Sequence, residues 1–338
     1  MSHLRSTNGH ARSLVRPGRT GTLLLAGLLV TAAIRVVHGQ AAQPEAPLAL
    51  ATTYLPPDTI FAVLVRPAEL AVPELMQPVV DAVDELLKPA NLGISVADID
   101  ECKVVFLGVP DMMRGPPNFY LVIRAKRAVD WKKVFGVTRE LKEEEVGGRK
   151  LYIRGQEAFW LPDERTIVVG SREAAKRTTE NPDPNDRAAW SDRWEKAAKS
   201  PLAGFLHVNM LGLMSLPGPD GKLDKSLASL DKDVKYAVLE GNVTDKGFAV
   251  GATIFTNSNE GSVRAAPVVS RGLTNFASMI ATQTGLAGDD ADRLTEQLSG
   301  LLGSTQIVTQ GETVEIKALV TPKMIDVFAE TARLIGGQ

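Results

Sequence analysis

The sequence predicts an α+β fold, with antiparallel sheets of hairpins packed with helices and two similar halves. Three observations carry this. Short apolar runs of strand character alternate with stretches whose apolar residues recur every three or four positions. Tight turns bearing glycine join several strands to their neighbours, which makes their pairing antiparallel. The second half of the chain replays the order of the first. Hairpins joined by helices place those helices against antiparallel sheets.

In the first half, residues 59–65 (TIFAVLV) are β-branched and aromatic and stop at Arg66-Pro67, as a strand does. Leu75, Met76, Val79, Val83, Leu86 and Leu87 then fall at helical spacing, with Pro78 fitting as the first helical residue after Gln77. Residues 103–109 and 118–125 are two strands joined by PDMMRGPP, and VDWKKVF is a short helix. Gly147-Gly148 turns a hairpin between EEEV and RKLYI, because glycine reaches the positive φ angles of a two-residue turn. Residues 157–170 form another hairpin turning near Asp163. Ser171 caps a helix with Glu173 in its first turn.

Between Asn181 and Asp186 the chain turns to Pro and Asx, which marks the boundary between halves. The expected layout is a signal peptide over 1–39, a flexible linker over 40–51, one half over 52–181 and the other over 182–338. Asp186 or Asn185 caps the next helix, which carries Trp190 and Trp194 one turn apart. A strand over 203–210 and a long hairpin turning at DKG follow. A helix with a face of Val269, Leu273, Phe276 and Ile280 comes next, then one with Leu294, Leu298 and Leu301. A hairpin turning at Gln310-Gly311 leads to a last helix capped by Thr321 with Pro322 in first position. TIFAVLVRPAEL matches AGFLHVNMLGL in form, and RTIVVGSREAAKRTTE matches TVEIKALVTPKMIDVFAET. The duplication rests on this pattern rather than on identity.

The N-terminus is a separate object. Arg5, Arg12, Arg16 and Arg19 precede thirteen uncharged residues, 22–34, and small residues follow. That is the layout of a secretory signal peptide cleaved after Gly39, with Val37 at the −3 position. The apolar run is shorter than the ~20 residues a spanning helix needs. A retained segment would instead tether the chain to the inner membrane, and only then is membrane contact expected. Residues 1–39 hold five Arg and no acid, so the remainder carries 33 basic and 40 acidic residues, net near −7. Such a chain is a poor coat for phosphates, and no nucleic-acid partner is expected.

The phrase YLPPDTIFAVLVRPAEL, over residues 54–70, resembles the opening of a group of uncharacterised exported proteins of planctomycete-type bacteria. AVDWKKV (residues 128–134) and GGRKLY (residues 147–152) resemble later phrases of the same group, in the same order. The likeness runs through most of residues 52–336. It implies export and supplies no activity, cofactor or catalytic residue.

The residues that carry chemistry are few. Cys102 is the single cysteine, so no internal disulfide forms; it reads as a small buried hydrophobe. His207 is the one histidine left once residues 1–39 depart, and alternation puts it level with Phe205 as a strand histidine. One His and one Cys exclude a His- or Cys-rich zinc site. Asn181, Asp183, Asn185 and Asp192 fall at positions 1, 3, 5 and 12 of an EF-hand, but position 6 is Asp186 where Gly is required and position 12 lacks the long Glu. The stretch reads as a Pro/Asx linker, and no cofactor or metal is expected. Asp289 or Asp290 reads as a helix cap, and Glu143, Glu144 and Glu145 as a charged sheet edge. Met112 and Met113, in a Pro/Gly loop, and Trp190 and Trp194, on one helix face, are the candidates for a contact surface.

The sequence therefore points to an exported, non-catalytic protein acting through a protein- or envelope-contact surface. Two alternatives stand beside it. One is a carrier of an apolar ligand or lipid in a cleft between sheets and helices. The other is a hydrolase using carboxylates alone, which needs two acids ~5–10 Å apart.

Overall fold

The computed structural model describes residues 50–87, 94–108, 118–134, 141–179, 186–208, 216–217, 223–224, 227–283, 286 and 288–336. The leader, residues 40–49 of the linker, Met112, Met113, the 181/182 boundary, and Asn181, Asp183 and Asn185 of the calcium-like stretch lie outside them.

The first half runs β1 (Thr59–Val65), α1 (Pro67–Leu70), α2 (Gln77–Leu87), β2 (Ile99–Leu107), β3 (Phe119–Ala125) and α3 (Trp131–Val134). It continues through β4 (Lys142–Val146), β5 (Arg149–Arg154), β6 (Glu157–Trp160), β7 (Thr166–Ser171) and α4 (Arg172–Thr179). The second half runs α5 (Ser191–Ala197), β8 (Leu202–His207), β9 (Leu216–Pro217), β10 (Leu223–Asp224), β11 (Val234–Thr244) and β12 (Gly247–Thr256). After these come α6 (Asn259–Gln283), α7 (Asp289–Ser304), β13 (Gln306–Gln310), β14 (Thr313–Val320) and α8 (Pro322–Gly336).

Twelve strands form one antiparallel sheet in the order β13-β14-β12-β11-β8-β1-β2-β3-β7-β6-β5-β4, and β9 and β10 make a small second one. β1 and β8 join the halves, with Val63 opposite Gly204 at the centre of their pairing. Outward from that seam the same order appears on both sides. β2, β3, β7 and β6 answer to β11, β12, β14 and β13, and α4 and α8 each close a half after its β7 or β14 strand. β5 and β4 extend the first half only. The duplication read from pattern is thus a duplication of topology.

The local signals act as the sequence predicts at several points. Gly147 and Gly148 stand at φ 58° and 74° in the β4–β5 turn. The amide of Ala174 donates to Ser171 Oγ at 3.3 Å, and that of Met324 to Thr321 Oγ1 at 3.4 Å, capping α4 and α8. Glu143 and Glu145 are exposed on the edge strand β4, while Glu144 pairs with Arg172 and Lys176 at 2.6 Å each.

Four expectations are corrected. The linker does not extend to residue 51, because Leu50 is 2% exposed within a core cluster. Trp190, not an Asx residue, is the N-cap of α5, with no side-chain cap bond; its burial against Phe205, ring centroids 4.3 Å apart, fixes the start of the helix where capping chemistry does not. Gly288, at φ 62°, is the N-cap of α7, and Asp289 and Asp290 fall in the first turn, where carboxylates face the positive helix end. α6 begins at Asn259, well before the apolar face that the sequence predicts from Val269 onward, and runs through Pro267. The amide that proline lacks would have bonded to the carbonyl of Val263, and that residue is 64% exposed, on the solvent side of the helix where the loss costs least.

Candidate functional site

The sheet has two differently covered faces. On the first, α4, α5 and residues 50–55 lie over Ala62, Leu64, Val105, Val122 and Phe205, all below 2% exposed. Trp190 and Trp194 belong to this core at 5% and 0% exposure. Their burial removes them from the contact surface proposed for them: the helix face they share is the one turned to the sheet.

The opposite face divides along the seam. Under the first half it is closed, with Val104, Leu121, Ile123, Ile167 and Val169 at 6% exposure or less. Under the second half a series of helices arches over it. α6 is anchored through Ala265, Val268 and Val269 to Val234 and Val314 of the sheet. α7 packs on α6 and α8 through Ala277, Leu294, Leu298 and Phe328. α8 reaches α2, where Arg333 pairs with Glu85 at 3.2 Å.

Strand register sets the floor beneath this arch. One row reads Val65, Leu202, Gly241, Val250 and Ala318; the next reads Val63, Gly204, Leu239, Ala252 and Ile316; a third reads Phe61, Leu206, Ala237, Ile254 and Val314. Every position is apolar or glycine. The rows follow from alternation in β8, β11, β12 and β14, whose other residues include Glu240, Asn242, Thr253, Glu315 and Lys317. Val65, Val63, Phe61, Leu202, Leu206, Leu239, Val250, Ala252 and Ala318 are all only half-buried, and none belongs to a core cluster. Gly204, Ala237 and Ala252 lower the middle of the floor into a trough, while the Phe248 ring lies over Gly241. A floor of five strands is about 19 Å across, and three rows span about 14 Å along the strands.

A second feature lies on the first face. Glu101 and Lys103 sit two residues apart on β2 at 3% and 0% exposure. Lys103 Nζ donates to the carbonyls of Ala51 and Tyr54 at 2.7 and 3.3 Å, and Thr52 Oγ1 donates to Glu101. Arg124, opposite Glu101 in register, reaches the Leu50 carbonyl at 3.5 Å. Three charged side chains thereby strap residues 50–55 across the sheet. Burial lowers the Lys103 ammonium to about 8, against a smaller opposing effect of Glu101.

The other candidate groups lie on strands and a helix. Cys102 is 7% exposed, and burial pushes its thiol up to about 12. His207 ends β8 opposite Tyr236, on the Phe205 side, with its pKa lowered by burial. Asp192, the described member of the calcium-like set, pairs with Arg187 at 2.7 Å. Among the described residues no three of His, Cys, Asp and Glu gather into a group able to hold a metal ion, and no helix is long and apolar enough to cross a membrane. Sequence reasoning missed the trough and the Glu101–Lys103 pair. The signal for the trough was the all-apolar alternate positions of four strands, with Gly and Ala among them.

No family model and no curated protein matches the chain. Among solved structures it is similar to the treponemal protein TP0453. Crystal form III matches at 11% identity and a TM-score of 0.43, over 84% of this chain and 98% of that one. Form IV gives 11% and 0.42, over 86% and 97%.

Proposed function

We propose that this chain is an exported, non-catalytic carrier that holds an apolar ligand, a hydrocarbon chain, on the floor beneath the helical arch. One observation carries the reading: the second half leaves its apolar floor half-buried where the equivalent floor of the first half is closed. Full burial of a Val, Leu or Phe supplies roughly 1.5–3 kcal/mol. Leaving so many short of it costs stability that a bound apolar molecule returns. The floor offers no polar side chain, so recognition is by shape and any polar head lies at the rim. The basic leader and its short apolar run support export.

The test is to purify the protein from its native host without detergent, extract it with organic solvent and identify the extract by mass spectrometry. A long-chain apolar compound near equimolar with protein is expected. An empty extract, together with no binding of N-phenylnaphthylamine by the extracted and refolded protein, would sink the proposal.

A further inference from the structure

The two edges of the sheet are built differently. Edge strands expose unpaired backbone donors and acceptors, and charges placed there discourage pairing with another chain. β4 carries Lys142, Glu143, Glu144 and Glu145. β13, Gln306-Ile307-Val308-Thr309-Gln310, carries no charge at all. Its Gln306, Val308, Thr309 and Gln310 are exposed, Val308 at 54%. Only Ile307 is drawn inward, against the cluster that anchors α6.

We infer that β13 is a pairing edge for β13 of a second copy of this chain, with the twofold axis at Val308. The strand is close to self-complementary when reversed. Val308 then faces Val308, Gln306 faces Gln310, and Ile307 faces Thr309. Directly opposed residues of antiparallel strands interact, and like charges there are unfavourable; this pairing contains none. The nearest charges are already neutralised within the chain, Lys317 with Glu315 at 2.9 Å and Lys235 with Glu312 at 3.4 Å. Two exposed valines gain a partner, and the alternation of both sheets is preserved across the seam. A heterologous peptide would find no charge or pocket on β13 to select it, whereas a second copy finds its own pattern. Five paired residues bury little area, so the dimer is of the weak class.

The test is sedimentation velocity on the natively processed chain up to on the order of 100 μM, a range suited to a weak interface. A concentration-dependent dimer is expected. Val308→Lys and Val308→Glu should each weaken it by about tenfold or more, with unchanged circular dichroism because the position is exposed. Mixing the two variants should restore it, since only this register sets position 308 against itself. A wild-type chain that stays monomeric overturns the inference, as does a dimer indifferent to either variant. Failure of the mixture to reassociate overturns the register.

Discussion

Lys103→Met should cost roughly 1.5–3 kcal/mol of stability, the range for a buried hydrogen bond made by a charged group, read as a lower urea midpoint at unchanged slope. The side chain is fully buried between Leu64 and Val122 of the neighbouring strands. Methionine matches its length and apolar stem, so little is lost in packing. What is lost is the donor to the Ala51 and Tyr54 carbonyls and a cation beside the buried Glu101 carboxylate. The strap over residues 50–55 should then open, with faster amide exchange there than in β2. Lys103→Met combined with Glu101→Gln should recover part of the loss, because no unpaired charge remains. A single variant within ~0.5 kcal/mol of wild type, well short of such a penalty, would show that Lys103 does not hold the strap.

The same lysine gives stability a pH dependence with a definite sign. Folded Lys103 releases its proton near 8, while the unfolded chain holds it to 10.5. Between those values the unfolded state binds more protons, so stability rises with pH. Cys102 acts oppositely. Its thiol ionises at 9.0 in the unfolded chain and about 12 in the folded one, so stability falls as pH climbs above 9. Wild type should therefore gain stability from pH 8 to 9, level off towards pH 10 and fall above it, where burial also raises Tyr54, Tyr120, Tyr152 and Tyr236, and Lys103→Met should show only the fall.

Local chemistry was legible in the sequence, and long-range pairing was not. Gly147-Gly148, Ser171, Thr321 and the alternation of β11, β12 and β14 each announce their own geometry. The seam between the halves does not, because β1 and β8 are apolar on both sides and name no partner. Lys103 read as the polar start of a strand; it is interior because residues 50–55 return over it, a contact absent from any local pattern. Trp190 and Trp194 announced an apolar helix face without saying whether sheet or partner covers it. The trough was half legible: alternation shows that one face of four strands is apolar, and only the structure shows that its helices leave it half-buried.

Ala252→Phe should raise the Kd for N-phenylnaphthylamine by about tenfold or more while shifting the melting temperature by only a few degrees. Ala252 stands in the second row between Leu239 and Ile316, with a smaller side chain than either. A phenyl ring there occupies the volume the ligand would take. It does so without overpacking, because the position is half-buried and outside the core clusters. Phenylalanine also suits a strand. The control is Thr253→Phe, one residue along β12, whose side chain points to the opposite face. If the trough binds the probe, the two substitutions must differ, since they add the same ring to adjacent residues on opposite sides of one sheet. Equal binding by both variants and wild type would place the probe elsewhere and end the carrier reading. Equal loss in both would mean that the ring disturbs the strand rather than fills the site.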